Sequence, residues 1–155
     1  LQSRRWGALG GALERRDLVA RTTPLVVVAG GRAGIGVSIT TALVGLLVGR
    51  PETPVLLVDG LESLGTLAWY FGIEPGMTLG AWEQQGHEPE ALIRPVRPGL
   101  DVLTAAPEPD GDPSLGPTQR RLLWQQATAL SHRYALILID VGTQLDALRA
   151  TLALH

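Results

Sequence analysis

The sequence LVVVAGGRAGIGVS, at residues 25–38, carries the strongest structural signal in the chain. Its first five residues are apolar and mostly β-branched, which predicts a buried strand. A glycine-rich turn follows at residues 30–36, and an apolar segment of helical length continues from residue 37 to residue 48. Glycines between a strand and a helix let backbone N–H groups approach a phosphate closely, and the helix N-terminus favours its negative charge. The segment therefore predicts a phosphate-binding loop, although a purely structural glycine turn has the same local pattern.

Further apolar runs predict additional strands. Residues 55–58 and 134–139 are apolar throughout and end at Asp59 and Asp140, and the shorter segment 100–103 is mostly apolar. Continuous apolar strands are typical of a parallel sheet that is buried on both faces. Ligands of such sheets bind beyond the carboxyl ends of the strands. We therefore expect the glycine loop and the two aspartates to lie at the same edge of the sheet.

Helical segments separate these strands. Helices are predicted over residues 37–48, 61–71, 79–85 and 117–132, with a short helical piece at 89–93 and a proline-rich loop at 107–117. Alternating strands and helices predict an α/β fold with a parallel sheet flanked by helices. The aromatic side chains of the helices are expected in the core or at an interface rather than in a base-stacking platform: Trp69, Tyr70, Phe71, Trp82 and Trp124.

Composition excludes several classes of function. A chain of 155 residues with 45% hydrophobic residues can bury a core, and we expect one folded domain. The absence of cysteine excludes disulfides and thiolate metal sites and is compatible with the cytoplasm. The three histidines lie too far apart in sequence for metal-ligand spacing. No apolar run approaches the roughly 20 residues that span a bilayer.

The basic residues are unusual because all 13 are arginines. A mechanism that needs a lysine ammonium is therefore excluded within this sequence, since the wide planar guanidinium is not an equivalent group. Residues 1–22 contain five arginines against two acids and are interpreted as a basic leader or linker, with membrane-surface or nucleic-acid contact as the alternative. The domain is expected to occupy residues 23–155 and to be truncated at its C-terminus.

A dinucleotide-binding interpretation of the loop remains open. Residues 30–36 resemble the TGxxxGIG loop of short-chain dehydrogenases, and Asp59 has the position of an acid that accepts ribose hydroxyls. That family also needs a Tyr-x-x-x-Lys pair for hydride transfer. Neither tyrosine of the chain is followed by lysine four residues later. An NAD(P)-dependent oxidoreductase would therefore lack its catalytic residues here.

The order of motifs along the chain favours a different family. The loop at residues 30–38 is followed by LLVD at 56–59, FGIEP at 71–75, PGLDVL at 98–103 and the strand ending at Asp140. This succession resembles the deviant Walker A proteins of the ParA/MinD group, especially its CpaE/TadZ-like branch. The resemblance covers about residues 25–140 and implies a P-loop NTPase-like fold.

The resemblance also implies roles for single residues. On the family pattern K-G-G-x-G-K-[ST], Arg32 falls on the first lysine, Val37 on the second and Ser38 on the Ser/Thr position. Asp59 falls on a carboxylate that positions water or metal and would be the catalytic residue. Ser38 and Asp140 would hold Mg²⁺. The nucleotide would contact Gly31, Arg32, Ala33, Gly34, Ile35, Gly36, Val37, Ser38 and Ile39.

The missing lysines change the function that the resemblance implies. Val37 has no charge and no side-chain donor to neutralise a developing phosphoryl charge, so hydrolysis is expected to be weak or absent. The expected ligand is ATP or ADP with Mg²⁺, with an empty loop as the alternative. We expect a positioning or assembly factor for pilus, secretion or septum machinery, which acts through protein partners and forms a homodimer. A slow but genuine ATPase is the alternative within the same family.

Overall fold

The computed structural model describes residues 23–60, 66–74, 76–86, 88–106 and 117–143. Several predicted features lie outside these residues. They are the basic leader at 1–22, the start of the second predicted helix at 61–65, most of the loop at 107–117, and residues 144–155.

A five-stranded sheet forms the centre of the fold, in the order β1-β5-β2-β4-β3. Its strands are β1 Leu25–Val28, β2 Val55–Asp59, β3 Ile93–Arg97, β4 Leu100–Leu103 and β5 Leu136–Asp140. The pairs β1·β5, β5·β2 and β2·β4 are parallel, whereas β3 pairs antiparallel with β4 at one edge. The sheet is therefore mostly parallel, as the apolar strands predict. On the side opposite β5, β1 pairs with no other described strand.

Four described helices accompany the sheet: α1 Val37–Val48, α2 Thr66–Tyr70, α3 Leu79–Gln85 and α4 Pro117–Ala129. The bounds of α1 and α3 agree with the sequence prediction. The predicted helix over 117–132 divides into α4 and a single 3₁₀ turn at Ser131–Arg133. That turn leads into β5, where the amide of Tyr134 donates to the carbonyl of Ser131 at 3.2 Å.

The antiparallel strand β3 was not predicted, because residues 89–93 were interpreted as a short helical piece. The structure forms a 3₁₀ helix at Pro89–Leu92 and then continues directly into β3. Pro95 lies within β3, and a proline is tolerated there because the strand is at the edge of the sheet.

Two apolar layers cover the two faces of the sheet. One layer contains Leu56, Val58, Ile137 and Ile139 of the central strands, packed with residues that include Trp124 of α4. The other contains Val55, Leu57 and Leu138 with Ala42 of α1 and Leu67 of α2. This alternation along β2 and β5 follows from the period of two in a strand. The central strands are thus buried on both faces.

The aromatic side chains of the helices divide between the core and the surface. Trp82 and Trp124 are buried, as predicted. Trp69 is 76% exposed and Tyr70 is 41% exposed, so neither belongs to the core.

Helix α1 exposes apolar side chains toward solvent, and they include Ile39, Leu43 and Leu47. This helix has only 12 residues. Within the described part of the chain, no helix combines the length and the apolar character that crossing a membrane requires.

Candidate phosphate-binding site

The glycine loop joins β1 to α1 and depends on two left-handed backbone positions. Gly34 has φ +78° and Gly36 has φ +90°, and Gly36 is the N-cap of α1. A residue with a Cβ is strained at such angles, which explains glycine at both positions. The first amides of α1 have no acceptor within the helix, as in any helix N-terminus. The loop therefore presents N–H groups at a positive helix end, where an anion is favoured.

A cavity of about 340 Å³ lies on this loop. Seven consecutive loop residues, 32–38, line it together with residues from two other parts of the chain. These additional residues are Tyr70, Gly142 and Thr143. Two residues predicted to contact nucleotide, Gly31 and Ile39, are not among the lining residues. Most of the predicted loop thus faces one cavity, although its role in binding remains a prediction.

Two hydrogen bonds join the end of β1 and the start of the loop to the residues that follow β5. The amide of Gly30 donates to the carbonyl of Gly142 at 2.7 Å, and the amide of Val141 donates to the carbonyl of Val28 at 3.1 Å. A Cβ on Gly30 would lie 2.5 Å from Cγ2 of Val37. The loop is therefore packed closely against its own helix and the neighbouring strand.

Asp140 ends β5 beneath this loop and is fully buried. Its Oδ1 accepts a hydrogen bond from the amide of Gly142 at 2.9 Å, whereas its buried Oδ2 has no hydrogen-bond partner among the described residues. Burial raises the pKa of the Asp140 carboxyl above its ordinary value, and the Ser38 hydroxyl and the Gly142 amide offset only part of this rise. A divalent cation would favour the charged carboxylate and so relieve the cost of its burial.

The residues present fit Mg²⁺. Ser38 lines the cavity, and its hydroxyl interacts with the Asp140 carboxyl. Within the described part of the chain, no cluster of three or more acidic, histidine or cysteine residues could hold a metal. Mg²⁺ is usually held by one or two protein oxygens, waters and substrate phosphates, so a site of this kind needs no such cluster. Ser38 would hold the ion together with phosphate oxygens. The charge of the buried Asp140 carboxylate would stabilise the ion from below the loop.

Asp59, the predicted catalytic residue, lies opposite Asp140 in the register of β2 and β5. It is fully buried, and its Oδ2 accepts a hydrogen bond from the amide of Leu67 at 2.9 Å. It is absent from the residues that line the cavity. The structure therefore places Asp59 where it stabilises the start of α2. Its catalytic role remains a prediction.

Sequence reasoning did not assign Tyr70, Gly142 or Thr143 to the site. Gly142 and Thr143 follow Asp140 directly, and their proximity to the loop follows from the pairing of β1 with β5. The pairing of these two strands was not predicted. Tyr70 lies more than thirty positions after the loop, and no local signal in the sequence connects the two.

Comparison with known proteins gives matches at the level of structure. No protein-family model matches the sequence, and no curated protein matches it significantly. Among solved structures, 52 chains match. The cell division ATPase MinD of Pyrococcus furiosus aligns with a TM-score of 0.64 and 25% identity, covering 84% of this chain and 56% of that one.

Two further structures are similar to the same extent. A ParA family ATPase from Chlorobium tepidum TLS aligns with a TM-score of 0.65 and 19% identity, covering 84% of this chain and 57% of that one. The septum site-determining protein MinD of Pyrococcus horikoshii OT3, solved with Mg-ADP, aligns with a TM-score of 0.63 and 24% identity, covering 84% and 54%. The present chain thus spans a little over half the length of these structures.

The fold is that of the ParA/MinD-type P-loop ATPases. The strand order differs from that of the dinucleotide fold, because β5 lies between β1 and β2. In the Rossmann dinucleotide fold, the first and second strands are neighbours. The dinucleotide interpretation of the glycine loop therefore has no support from the sheet.

Proposed function

We propose that this chain is a ParA/MinD-like domain that binds ATP or ADP with Mg²⁺ at the loop of residues 31–39. The observation that carries the proposal is the cavity above the loop, with Ser38 in its lining and the buried Asp140 carboxyl interacting with that serine. Backbone amides at the start of α1 would hold the phosphates. The Mg-ADP in the septum site-determining MinD supports this choice of ligand.

Within this proposal, binding is retained and hydrolysis is weak or absent. Val37 lines the cavity at the position where the family resemblance expects the second lysine. An apolar side chain there leaves the charge that develops during phosphoryl transfer without a cation. The loop is in this sense degenerate, and the protein acts as a pseudo-ATPase.

A slow genuine ATPase is the second candidate, and the position of Arg32 favours it. Arg32 lines the same cavity and is the described lining residue that carries a permanent positive charge. An arginine can stabilise the transition state of phosphoryl transfer. Steady-state release of phosphate from Mg-ATP separates the candidates. Turnover that is lost in both Arg32→Ala and Asp59→Asn would establish the slow ATPase.

We further propose a cytoplasmic positioning or assembly role in pilus, secretion or septum machinery, of the kind expected for the CpaE/TadZ-like branch. Two of the similar structures are the cell division ATPase MinD and the septum site-determining protein MinD, which supports a role of this kind. The ligand would act by stabilising a homodimer, which requires a higher affinity for the dimer than for the monomer. Arg32 is exposed on the loop, and in such a dimer it would contact the nucleotide of the partner.

Sedimentation velocity tests this proposal. The protein is measured without nucleotide, with Mg-ADP and with Mg-ATP, and in parallel as Arg32→Ala and as Arg121→Ala, an exposed arginine of α4 that serves as the control. We expect Mg-ATP to shift the native protein and the Arg121 variant toward the dimer, and the Arg32 variant to respond less. A monomer at saturating Mg-ATP would contradict the dimer proposal but leave nucleotide binding in place.

A further inference from the structure

Tyr70 lines the cavity on the glycine loop, although it does not belong to the loop. It is the last residue of α2 and lines the cavity together with residues 32–38, although it is more than thirty positions away in sequence. Its side chain is 41% exposed, so a ligand in the cavity can reach it from solvent. None of the roles assigned to the loop so far involves this residue.

The backbone at Tyr70 is fixed by the helix that carries it. Asp59 accepts the hydrogen bond from the amide of Leu67 at the start of α2, and Leu67 and Ala68 are fully buried. The helix is closed by Gly72, whose φ is +63°, and by a hydrogen bond of 2.9 Å from the amide of Ile73 to the carbonyl of Ala68. A short helix anchored at both ends holds its last residue in a defined place.

The ring of Tyr70 has an aromatic neighbour. The rings of Trp69 and Tyr70 lie 5.4 Å apart at an interplanar angle of 58°. Tilted arrangements at this distance are favourable for aromatic pairs. Since Trp69 is 76% exposed, this contact leaves the Tyr70 ring accessible from solvent.

Few side chains that line the cavity can donate a hydrogen bond to a phosphate. Val37 supplies none, and the hydroxyl of Ser38 interacts with the Asp140 carboxyl. The remaining polar side chains of the lining belong to Arg32, Tyr70 and Thr143. A phenol hydroxyl is a neutral donor at pH 7, and its hydrogen bond to an ionised phosphate oxygen is stronger than one between neutral groups.

We propose that the Tyr70 hydroxyl donates a hydrogen bond to a phosphate oxygen of the bound nucleotide and so supplies part of the recognition that a loop lysine would otherwise provide. This inference rests on the proposed nucleotide binding at the loop. It assigns a ligand contact to α2, and it gives Asp59 a positioning role, because the Asp59–Leu67 hydrogen bond holds the helix that carries Tyr70. A hydroxyl without a positive charge binds phosphate but does not replace the lysine in hydrolysis.

Calorimetric titration of the protein tests the proposal with Mg-ADP, Mg-pyrophosphate and adenosine as probes. Tyr70→Phe removes only the hydroxyl, and Trp69→Phe is the matched control, because it changes the neighbouring exposed ring and leaves the hydroxyl. We expect Tyr70→Phe to weaken Mg-ADP and Mg-pyrophosphate binding by roughly tenfold, the effect of losing a hydrogen bond to a charged group. The adenosine affinity of Tyr70→Phe, and every affinity of Trp69→Phe, should change by less than about twofold.

The outcomes separate this inference from the proposed function. Wild-type binding of Mg-ADP with an unchanged Tyr70→Phe affinity would overturn the role of Tyr70 and leave the proposed nucleotide site intact. Absence of wild-type binding to Mg-ADP and Mg-pyrophosphate would overturn both. Equal loss of adenosine and pyrophosphate affinity would assign Tyr70 to packing of the site and would also overturn the phosphate contact. The thermal midpoint of each ligand-free variant, compared with that of wild type, confirms that it folds.

Discussion

In the proposed function, the side chain at position 37 separates nucleotide binding from hydrolysis. The backbone of the loop, with left-handed glycines at 34 and 36, is suited to hold phosphates. Val37 lies in the first turn of α1 and lines the same cavity. The loop therefore has the backbone N–H groups that can hold phosphates, but it lacks the lysine ammonium that stabilises the charge of phosphoryl transfer.

A lysine at this position should restore part of the hydrolysis. We expect Val37→Lys to raise phosphate release from Mg-ATP by at least about tenfold, because a preorganised charge stabilises the transition state by several kcal/mol. Val37→Leu, which lengthens the side chain without a charge, should leave the rate unchanged. If the lysine variant binds Mg-ATP and its rate equals that of the leucine variant, the missing lysine does not limit hydrolysis.

We expect Ser38 to contribute to ADP affinity in the presence of Mg²⁺ and not in its absence. We expect Ser38→Ala to weaken ADP binding in the presence of Mg²⁺ by at least about tenfold, as is typical when a metal loses a supporting group. Without Mg²⁺, the variant and the wild type should bind ADP equally. Thr40→Ala, at an exposed position on the same helix, is the control. Equal Mg²⁺ dependence in all three proteins would remove Ser38 from the metal site.

The residues of the site could be predicted in part. The loop carries a local signal, because glycines between an apolar strand and a helix indicate a phosphate site. Asp59 and Asp140 were correctly expected at one edge of the sheet, since both end parallel strands. Tyr70 and Thr143 were not predicted, because their proximity to the loop arises only when α2 and the end of β5 are brought beside it.

Helix α2 gives Asp59 a structural contact that its position at a strand end did not predict. Asp59 is buried with Oδ2 bonded to the first turn of α2, although its position along the sequence matched a catalytic carboxylate. Removal of the acceptor would leave the buried amide of Leu67 without a partner.

Asp59→Ala should therefore lower the stability of the fold. We expect the free energy of unfolding in urea to fall by about 1–3 kcal/mol, the cost of a buried donor that loses its partner. Asp59→Asn keeps an acceptor oxygen and should lose less. If both variants are as stable as the wild type, Asp59 does not hold α2, and a purely catalytic role becomes the better interpretation.

The junction between the last 3₁₀ turn and β5 contains a buried tyrosine. The hydroxyl of Tyr134 donates to Oδ2 of Asp101 on β4 at 2.8 Å. Burial, and then the hydrogen bond and charge of Asp101, raise the pKa of Tyr134 well above its ordinary value. The folded protein therefore keeps this proton at pH values where the unfolded chain loses it.

Stability should consequently fall in alkaline solution. The contribution of Tyr134 is fully present below the unfolded pKa of about 10 and decreases as the pH rises above it, by at most about 1.4 kcal/mol per pH unit. Urea unfolding between about pH 8 and pH 11 measures this slope. We expect Tyr134→Phe to be less stable than wild type near pH 8 and to show a flatter slope. An equal slope in the two proteins would contradict the assignment of this pH dependence to Tyr134.

Helices and strands with a clear hydrophobic pattern in the sequence were predicted better than strands that form only by pairing with a neighbour in the sheet. The 12 residues of α1 and the apolar runs of β2 and β5 carry their own signals. Strand β3 does not, because its sequence IRPVR contains a proline and two arginines. Its pairing with β4 is a tertiary effect that a local pattern cannot reveal.

At the scale of the whole molecule, the order of the strands decides between the two nucleotide-binding interpretations. Local motifs in the sequence matched both a P-loop and a dinucleotide loop. The insertion of β5 between β1 and β2 disagrees with the dinucleotide fold, in which the first two strands are neighbours. This order could not be derived from the sequence, since apolar parallel strands carry no signal that specifies their neighbours.

The measurement that tests the central proposal most directly is the stability of the protein with Mg²⁺ and ATP, ADP, NAD or NADP. A ligand that binds only the folded state at about 100 times its Kd adds about 2.7 kcal/mol to the free energy of unfolding. We predict stabilisation by ATP and ADP and none by the two dinucleotides. Stabilisation by none of the four ligands, or by NAD or NADP alone, would contradict the assignment of the loop as an ATP- or ADP-binding site.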